Sequence, residues 1–403
     1  MHIITDIDRI IIKRFDKKFL FIRAFFKFMD FFLLPLILFK FKKNSNINKI
    51  LIVNSGHIGD AVITSRLLSS IKKKYPTAQI GMLINSGSKF VFTNNEYVFK
   101  IHCLDHWYTN RSNISKWKKI IYYYFFDLYR VAKEINAVSY DVAIDMRMWY
   151  PNYSLVIWLS KIPIRIGYVW AGGGPLYSVP LRFKMNRRNE FDYQFDLLNV
   201  IGITEYCNSP SISFFNTPFV KLPPEFQYLI ASQRLYRIFH LGTSTLKREI
   251  SLKVWKKVIY YCIENGIIPV VTGKGERDKL LADNLKIQIP EVINLSNLLN
   301  WEQLKLLIAN AQLIYSVETS IGHLAASLNK PLIAIYGGFS DHQHWSPYGC
   351  SVALVRKDIS CSPCFNKRSC TEYKCINQIT HLDIIIKEND LLNMKPTFQV
   401  NIL

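Results

Sequence analysis

The sequence lacks the marks of secreted, membrane-spanning and disordered chains. Its first residues, MHIITDIDRI, carry acids, have no basic n-region and offer no small-residue cleavage site. No secretory signal is read there, and a cytoplasmic protein is expected. The uninterrupted apolar run 31–39 is about half of what a membrane span needs, and Pro35 sits within it. Of the eight cysteines, Cys103, Cys207, Cys262 and Cys350 lie far apart and the rest crowd late in the chain, unlike a secreted disulfide framework. Acidic residues are scarce, 30 against 51 Lys and Arg, which leaves a formal charge of +21. Such a field attracts nucleic acid, an acidic membrane leaflet or a phosphorylated substrate. No Cys/His zinc finger, RNA-recognition motif or helix-turn-helix signature is present, so nucleic acid is not expected as a partner. No short-period repeat appears.

What the chain does have is a large apolar fraction, 49% of 403 residues, which suits two domains of roughly 150–200 residues. Residues 1–48 mix aromatics with Lys and Arg at helix-like intervals. That pattern suits a helix lying in a membrane interface, or one packed on the protein's own core. From residue 49 apolar strands alternate with helical patterns: strand 49–56 ending in a turn, helix 60–74, strand 78–84, strand 140–145. Residues 208–227, rich in Pro, Ser and Phe, read as a linker. The alternation then resumes over 228–403. The expectation is α/β, with two doubly wound Rossmann-like domains (49–207 and 228–403) facing a cleft.

Four motifs sit where such sheets bind ligands, beyond the carboxyl ends of strands. The first is Ser55-Gly56-His57-Ile58-Gly59-Asp60, where the glycines allow tight backbone geometry and Asp60 stands at a helix start. Asp60 reads as a cleft-facing carboxylate or as an ordinary helix cap. His57-Ile58-Gly59 also resembles the opening of the HIGH signature of class I aminoacyl-tRNA synthetases, but Asp60 occupies the place of the second His. The second motif is His240-Leu-Gly-Thr-Ser-Thr-Leu-Lys-Arg248: Gly242, Thr243 and Ser244 suit a phosphate cradle, with Lys247 and Arg248 to neutralise it. In the third, 272–276, Glu276 offers a carboxylate to ribose hydroxyls, and a plain turn fits as well. In the fourth, Glu318, Thr319, Ser320, Gly322 and His323 crowd a helix start suited to a diphosphate.

At these motifs the chain resembles glycosyltransferase family 9, the ADP-heptose:lipopolysaccharide heptosyltransferases. The resemblance covers about residues 49–376. It rests on Gly59-Asp60, Tyr140-Asp-Val-Ala-Ile-Asp145, Arg165-Ile-Gly-Tyr168, His240-Leu-Gly-Thr243, Lys247-Arg248, and above all the string from Tyr315 to Gly349. It implies a GT-B fold and an inverting, metal-independent transfer with no catalytic cofactor. Asp60 inherits the role of base, with Gly56, His57 and Gly59 in the acceptor loop. Thr243, Ser244, Lys247, Glu276, Glu318, Thr319, Ser320, Gly322 and His323 fall at the nucleoside-diphosphate sugar. The implied acceptor is a phosphorylated lipopolysaccharide or lipid-linked glycan, reached from the cytoplasmic face of an anionic membrane. The aromatic and basic stretch 107–130 suits an amphiphilic acceptor, or a helix packed on its own domain.

This chain has Asn54 where the family usually has Arg, Arg66 where it has Pro, and Glu318-Thr319-Ser320 where it has Asp-Thr-Gly. A different (UDP or GDP) sugar donor, or an inactive nucleotide-binding module, fits those changes. The spacing of Cys361, Cys364, Cys370 and Cys375 matches a tetrahedral structural zinc site. Reduced thiols or a redox-sensitive pair fit it too.

Overall fold

The computed structural model describes residues 17–38, 46–110, 112–149, 152–170, 172–183, 186, 188–207, 222–243, 245–349, 351–365 and 370–393. Two compact units divide the chain, residues 1–213 and 214–403.

The first unit is built on a parallel sheet of β1 (Lys49–Asn54), β2 (Gln79–Ile84), β3 (Val98–Cys103), β4 (Val142–Asp145), β5 (Ile164–Tyr168) and β6 (Val179–Leu181), in the order β3-β2-β1-β4-β5-β6. Ile50, Leu51, Ile52 and Val53 are all fully buried, as expected of a strand covered on both faces. β1 pairs in register with β2 on one side and β4 on the other, so Val53 stands beside both Leu83 and Asp145. One face of the sheet packs Leu51, Val53, Leu83 and Ala143 against Val131, Ile135, Tyr153, Val156 and Ile157.

The helix expected over 60–74 is two helices, Ile58–Ser65 and Leu68–Lys74. Tight turns at Arg66 and Leu67, whose N–H groups bond back to Ile63 O and Thr64 O, separate them. Arg66 is buried at this break, where its guanidinium donates to Tyr206 Oη at 3.1 Å and stacks over Phe191.

The second unit holds β7 (Tyr236–His240), β8 (Ile268–Thr272), β9 (Ile293–Asn294), β10 (Leu313–Val317), β11 (Leu332–Ile335) and β12 (Val352–Val355), all parallel, in the order β12-β11-β10-β7-β8-β9. Read from β9, this repeats the first unit's order, with the first strand central and the fourth beside it. Both sheets are Rossmann-like. The core stacks the rings of Phe239 and Tyr315 4.6 Å apart, with Trp255 edge-on to Phe239.

Of the 1–48 extension, residues 1–16 and 39–45 lie outside the described residues; within it stands the helix Lys17–Leu33, followed by a 3-10 turn Leu34–Leu38. Residues 208–221 also lie outside, and the helix Pro224–Ser232 begins within the stretch expected as linker. Among the described residues, no helix is long and apolar enough to cross a membrane.

Candidate active site

At the end of β1 the chain turns through Ser55 and Gly56 into the helix Ile58–Ser65. Asp60, the third residue of that helix, is buried and folds back on the turn. Its Oδ2 accepts the His57 N–H at 2.8 Å. Gly56 is required at this spot, because a Cβ there would lie 2.5 Å from the Asp60 side chain. Asn54, which replaces the family's usual Arg, pins the turn: its Oδ1 accepts the Gly56 N–H at 2.7 Å and its Nδ2 donates to Thr64 Oγ1 at 2.6 Å. Asp60 is therefore a capping carboxylate. Its other oxygen, Oδ1, receives Arg147 Nη1 at 3.0 Å.

Arg147 is absent from the sequence reading. It follows β4, and β4 lies beside β1, so the turn after one strand meets the turn after the other. Asp145 holds this second turn. Its Oδ1 accepts the Arg147 N–H at 3.1 Å, and its Oδ2 accepts the Tyr153 N–H at 2.9 Å and the Tyr177 hydroxyl at 2.8 Å. Burial pushes the Asp145 pKa up to about 6. The available signal was positional: Arg147 stands two residues beyond an apolar strand.

In the second unit the ends of β8, β7 and β10 gather the remaining motifs. His240 Nδ1 is 3.1 Å from Thr272 Oγ1, and burial lowers the His240 pKa to about 4. The Thr243 N–H donates to Glu249 Oε1 at 2.9 Å, and Glu249 is ion-paired with Arg277. Lys247 places its ammonium over the Tyr373 ring at 5.8 Å. The cation that reaches Glu318 is Arg248, at 3.4 Å, which also lies 4.2 Å above the Phe339 ring. The Ser340 hydroxyl donates to Glu318 Oε1, whereas Oε2 is buried with no partner among the described residues. Burial raises the Glu318 pKa, against the lowering effect of Arg248 and Ser340. Thr319 caps the helix Ser320–Ser327, its Oγ1 accepting the Ile321 N–H at 3.3 Å. Gly322 is buried and His323 half-buried in that helix. Ser244 lies outside the described residues.

Glu276 opens the helix Glu276–Gln288 as an exposed side chain. The acid that turns inward there is Asp278. It fills the space over two glycines: a Cβ on Gly242 would meet its Oδ1 at 2.0 Å, and one on Gly273 its Cβ at 2.6 Å.

Among the described residues no three His, Cys, Asp or Glu side chains are gathered so as to hold a metal, and Cys361, Cys364, Cys370 and Cys375 are free thiols. Burial, joined by the neighbouring Cys364, Cys361 and Cys370, raises the Cys375 pKa. Cys361 is exposed. The Cys364 N–H donates to Gly338 O at 2.8 Å, Cys370 Sγ accepts the Tyr373 N–H at 3.3 Å, and Cys375 packs against Gly338.

Comparison with known proteins agrees with this layout. Lipopolysaccharide heptosyltransferase 3 of Escherichia coli is 23% identical over 300 residues, spanning 72% of this chain and 83% of that protein. A family 9 glycosyltransferase from Veillonella parvula superposes with a TM-score of 0.66 at 19% identity, covering 86% of this chain and 98% of that one. The E. coli heptosyltransferase WaaC, solved with ADP, gives 0.65 at 16% identity, covering 85% and 99%. Two Rossmann-like units with polar helix starts beyond their central strands make the GT-B fold. The family model of glycosyltransferase family 9 (heptosyltransferase) matches residues 128–375, and the chain belongs to that family.

Proposed function

We propose that this enzyme transfers a heptose from ADP-heptose, with inversion and without a catalytic metal, to a sugar hydroxyl of a lipopolysaccharide core. The carrying observation is Asp60, a buried carboxylate at the end of β1 held at one oxygen by a backbone N–H and at the other by Arg147. Asp60 acts as general base. The acceptor hydroxyl donates to Oδ1, its oxygen attacks the anomeric carbon, the bond from that carbon to the diphosphate oxygen breaks, and the hydroxyl proton passes to Asp60. The Nε–H of Arg147, buried and without a partner among the described residues, is a spare donor for the acceptor.

Charge growing on the leaving diphosphate is met by Thr243, Ser244, Lys247 and Arg248 and by the helix start at Thr319, Ser320, Gly322 and His323. Glu276 takes the nucleoside and Glu318 the sugar. The relative WaaC, solved with ADP-2-deoxy-2-fluoro heptose, supports the choice of donor. The acceptor is lipid-borne, so the enzyme works as a peripheral protein on the cytoplasmic face of an anionic membrane.

Calorimetry with ADP, UDP and GDP, with EDTA and then with magnesium, tests the reading. ADP-selective binding indifferent to metal is expected, and Asp60→Asn should keep that binding while losing turnover. A preference for UDP or GDP would move the donor to another sugar. Absence of nucleotide binding would make the chain an inactive module.

A further inference from the structure

The helix Lys17–Leu33 is amphipathic the wrong way round for a helix serving only its own core. Among its described side chains the inward ones are Phe26, Asp30 and Leu33, none fully buried, while Phe21, Phe28 and Phe31 stand 73%, 61% and 66% exposed. It is tethered by a polar contact: Asp30 Oδ1 accepts the Gly173 N–H at 2.7 Å, with Phe26 seated over Gly172.

A second such surface lies on the helical stretch from Lys116 to Val138. Its inner side buries Tyr123, Leu128, Val131 and Ile135. Its outer side presents Trp117, Ile121, Phe125 and Tyr129 at four-residue intervals, 76%, 50%, 72% and 64% exposed, across a π turn at Tyr123–Asp127. The two surfaces share one side of the first sheet. The turn Gly174–Leu176 packs on both the extension helix and the helix Ser154–Leu159, which in turn packs on Leu128–Val138.

Charge complements the aromatics. Lys27, Lys116 and Lys118 are exposed beside them. The acids of Lys17–Leu33 and of 116–130 are Asp30, turned to Gly173, and Asp127, 3.1 Å from Arg130.

We infer that these two surfaces form one docking face for a lipid bilayer with anionic headgroups. The rings enter to headgroup depth and the lysines meet lipid phosphates. The inference rests on the lipid-borne acceptor proposed above only for its purpose, because docking needs neither sugar nor nucleotide.

The test is flotation of the full chain with phosphatidylcholine vesicles, with and without phosphatidylglycerol. Binding should appear with the anionic lipid, blue-shift the tryptophan emission, and weaken at least tenfold in 0.5 M salt, roughly the range in which surface charge is screened. Phe28→Ser/Phe31→Ser and Trp117→Ala/Phe125→Ser should each weaken it about tenfold, as expected where each face supplies part of the apolar contact. Asp60→Asn should bind vesicles like the parent chain, which separates failure of docking from failure of the transfer reading. Binding by both variants equal to that of the parent chain, or none by the parent chain, would overturn the inference. So would a concentration-dependent dimer dispersed by the same substitutions, which would assign the face to a second copy.

Discussion

Arg147 and Asp60, 87 residues apart in sequence, meet at 3.0 Å because β4 adds to the sheet directly beside β1. With His57 N–H on the other oxygen, the carboxylate is fixed in direction as well as position. Replacing Arg147 by Ala frees one oxygen. We expect kcat to fall by about 10- to 100-fold, the usual penalty for a misdirected reacting group, with donor KM within about twofold of the parent value. Arg147→Lys, which keeps the charge but not the planar fork, should recover part of the rate. Steady-state kinetics on both variants checks this, and an unchanged kcat in the Ala variant would remove Arg147 from the site.

Glu318 holds one oxygen on Ser340 and Arg248 and leaves the other buried, with no partner among the described residues. Such an acceptor suits a sugar hydroxyl. Glu318→Gln should raise donor KM about tenfold, the loss expected from one charge-assisted hydrogen bond, while binding of the bare nucleotide stays near the parent value. Parallel titration of the nucleotide and the nucleotide sugar reads the split. Equal weakening of both would place Glu318 away from the sugar.

His240 ties β7 to β8 and is held neutral, its pKa about 4 against an ordinary 6.5. On acidification the unfolded chain takes up this proton first. The stability involved is therefore complete above about pH 6.5 and is lost as pH falls toward 4, a swing of about 3 kcal/mol. His240→Asn should flatten the pH dependence of urea unfolding in that window. Identical slopes in the two proteins would contradict the assignment.

Asp278 fills the space above Gly242 with its carboxylate and the space above Gly273 with its Cβ. Gly242→Ala and Gly273→Ala should each destabilise by about 1–3 kcal/mol. Adding Asp278→Ala should rescue only the first, because the Cβ that blocks Gly273 remains. Chemical unfolding of the single and double variants gives the coupling.

Much of this was legible in the sequence. Apolar runs ending in polar turns located β1, β7, β8 and β10, and Asp60, Thr319 and His323 stand at the helix starts those runs imply. Sequence does not show which strands become neighbours, so Arg147 could not be paired with Asp60. Nor does it show which of two adjacent acids or cations turns inward. Asp278 rather than Glu276 does so in a helix entered through Gly275 at φ +103°, and Arg248 rather than Lys247 reaches Glu318. β6 escaped notice because it is three residues long with Pro180 in the middle. The break at Arg66 was hidden by an apolar face that continues across it.

The buried cluster of Arg237, Tyr315 and Glu388 bears on how the chain is made. Arg237, on the second unit's first strand, is ion-paired with Glu388 in the helix His381–Asn393, and the Tyr315 hydroxyl donates to the same carboxylate at 2.6 Å. A guanidinium sealed inside without that partner would cost several kcal/mol. On the ribosome, the first sheet has all its strands once β6 has emerged. In the second, the guanidinium of the central strand gains its carboxylate partner only when residue 388 arrives, so translation completes the two units one after the other.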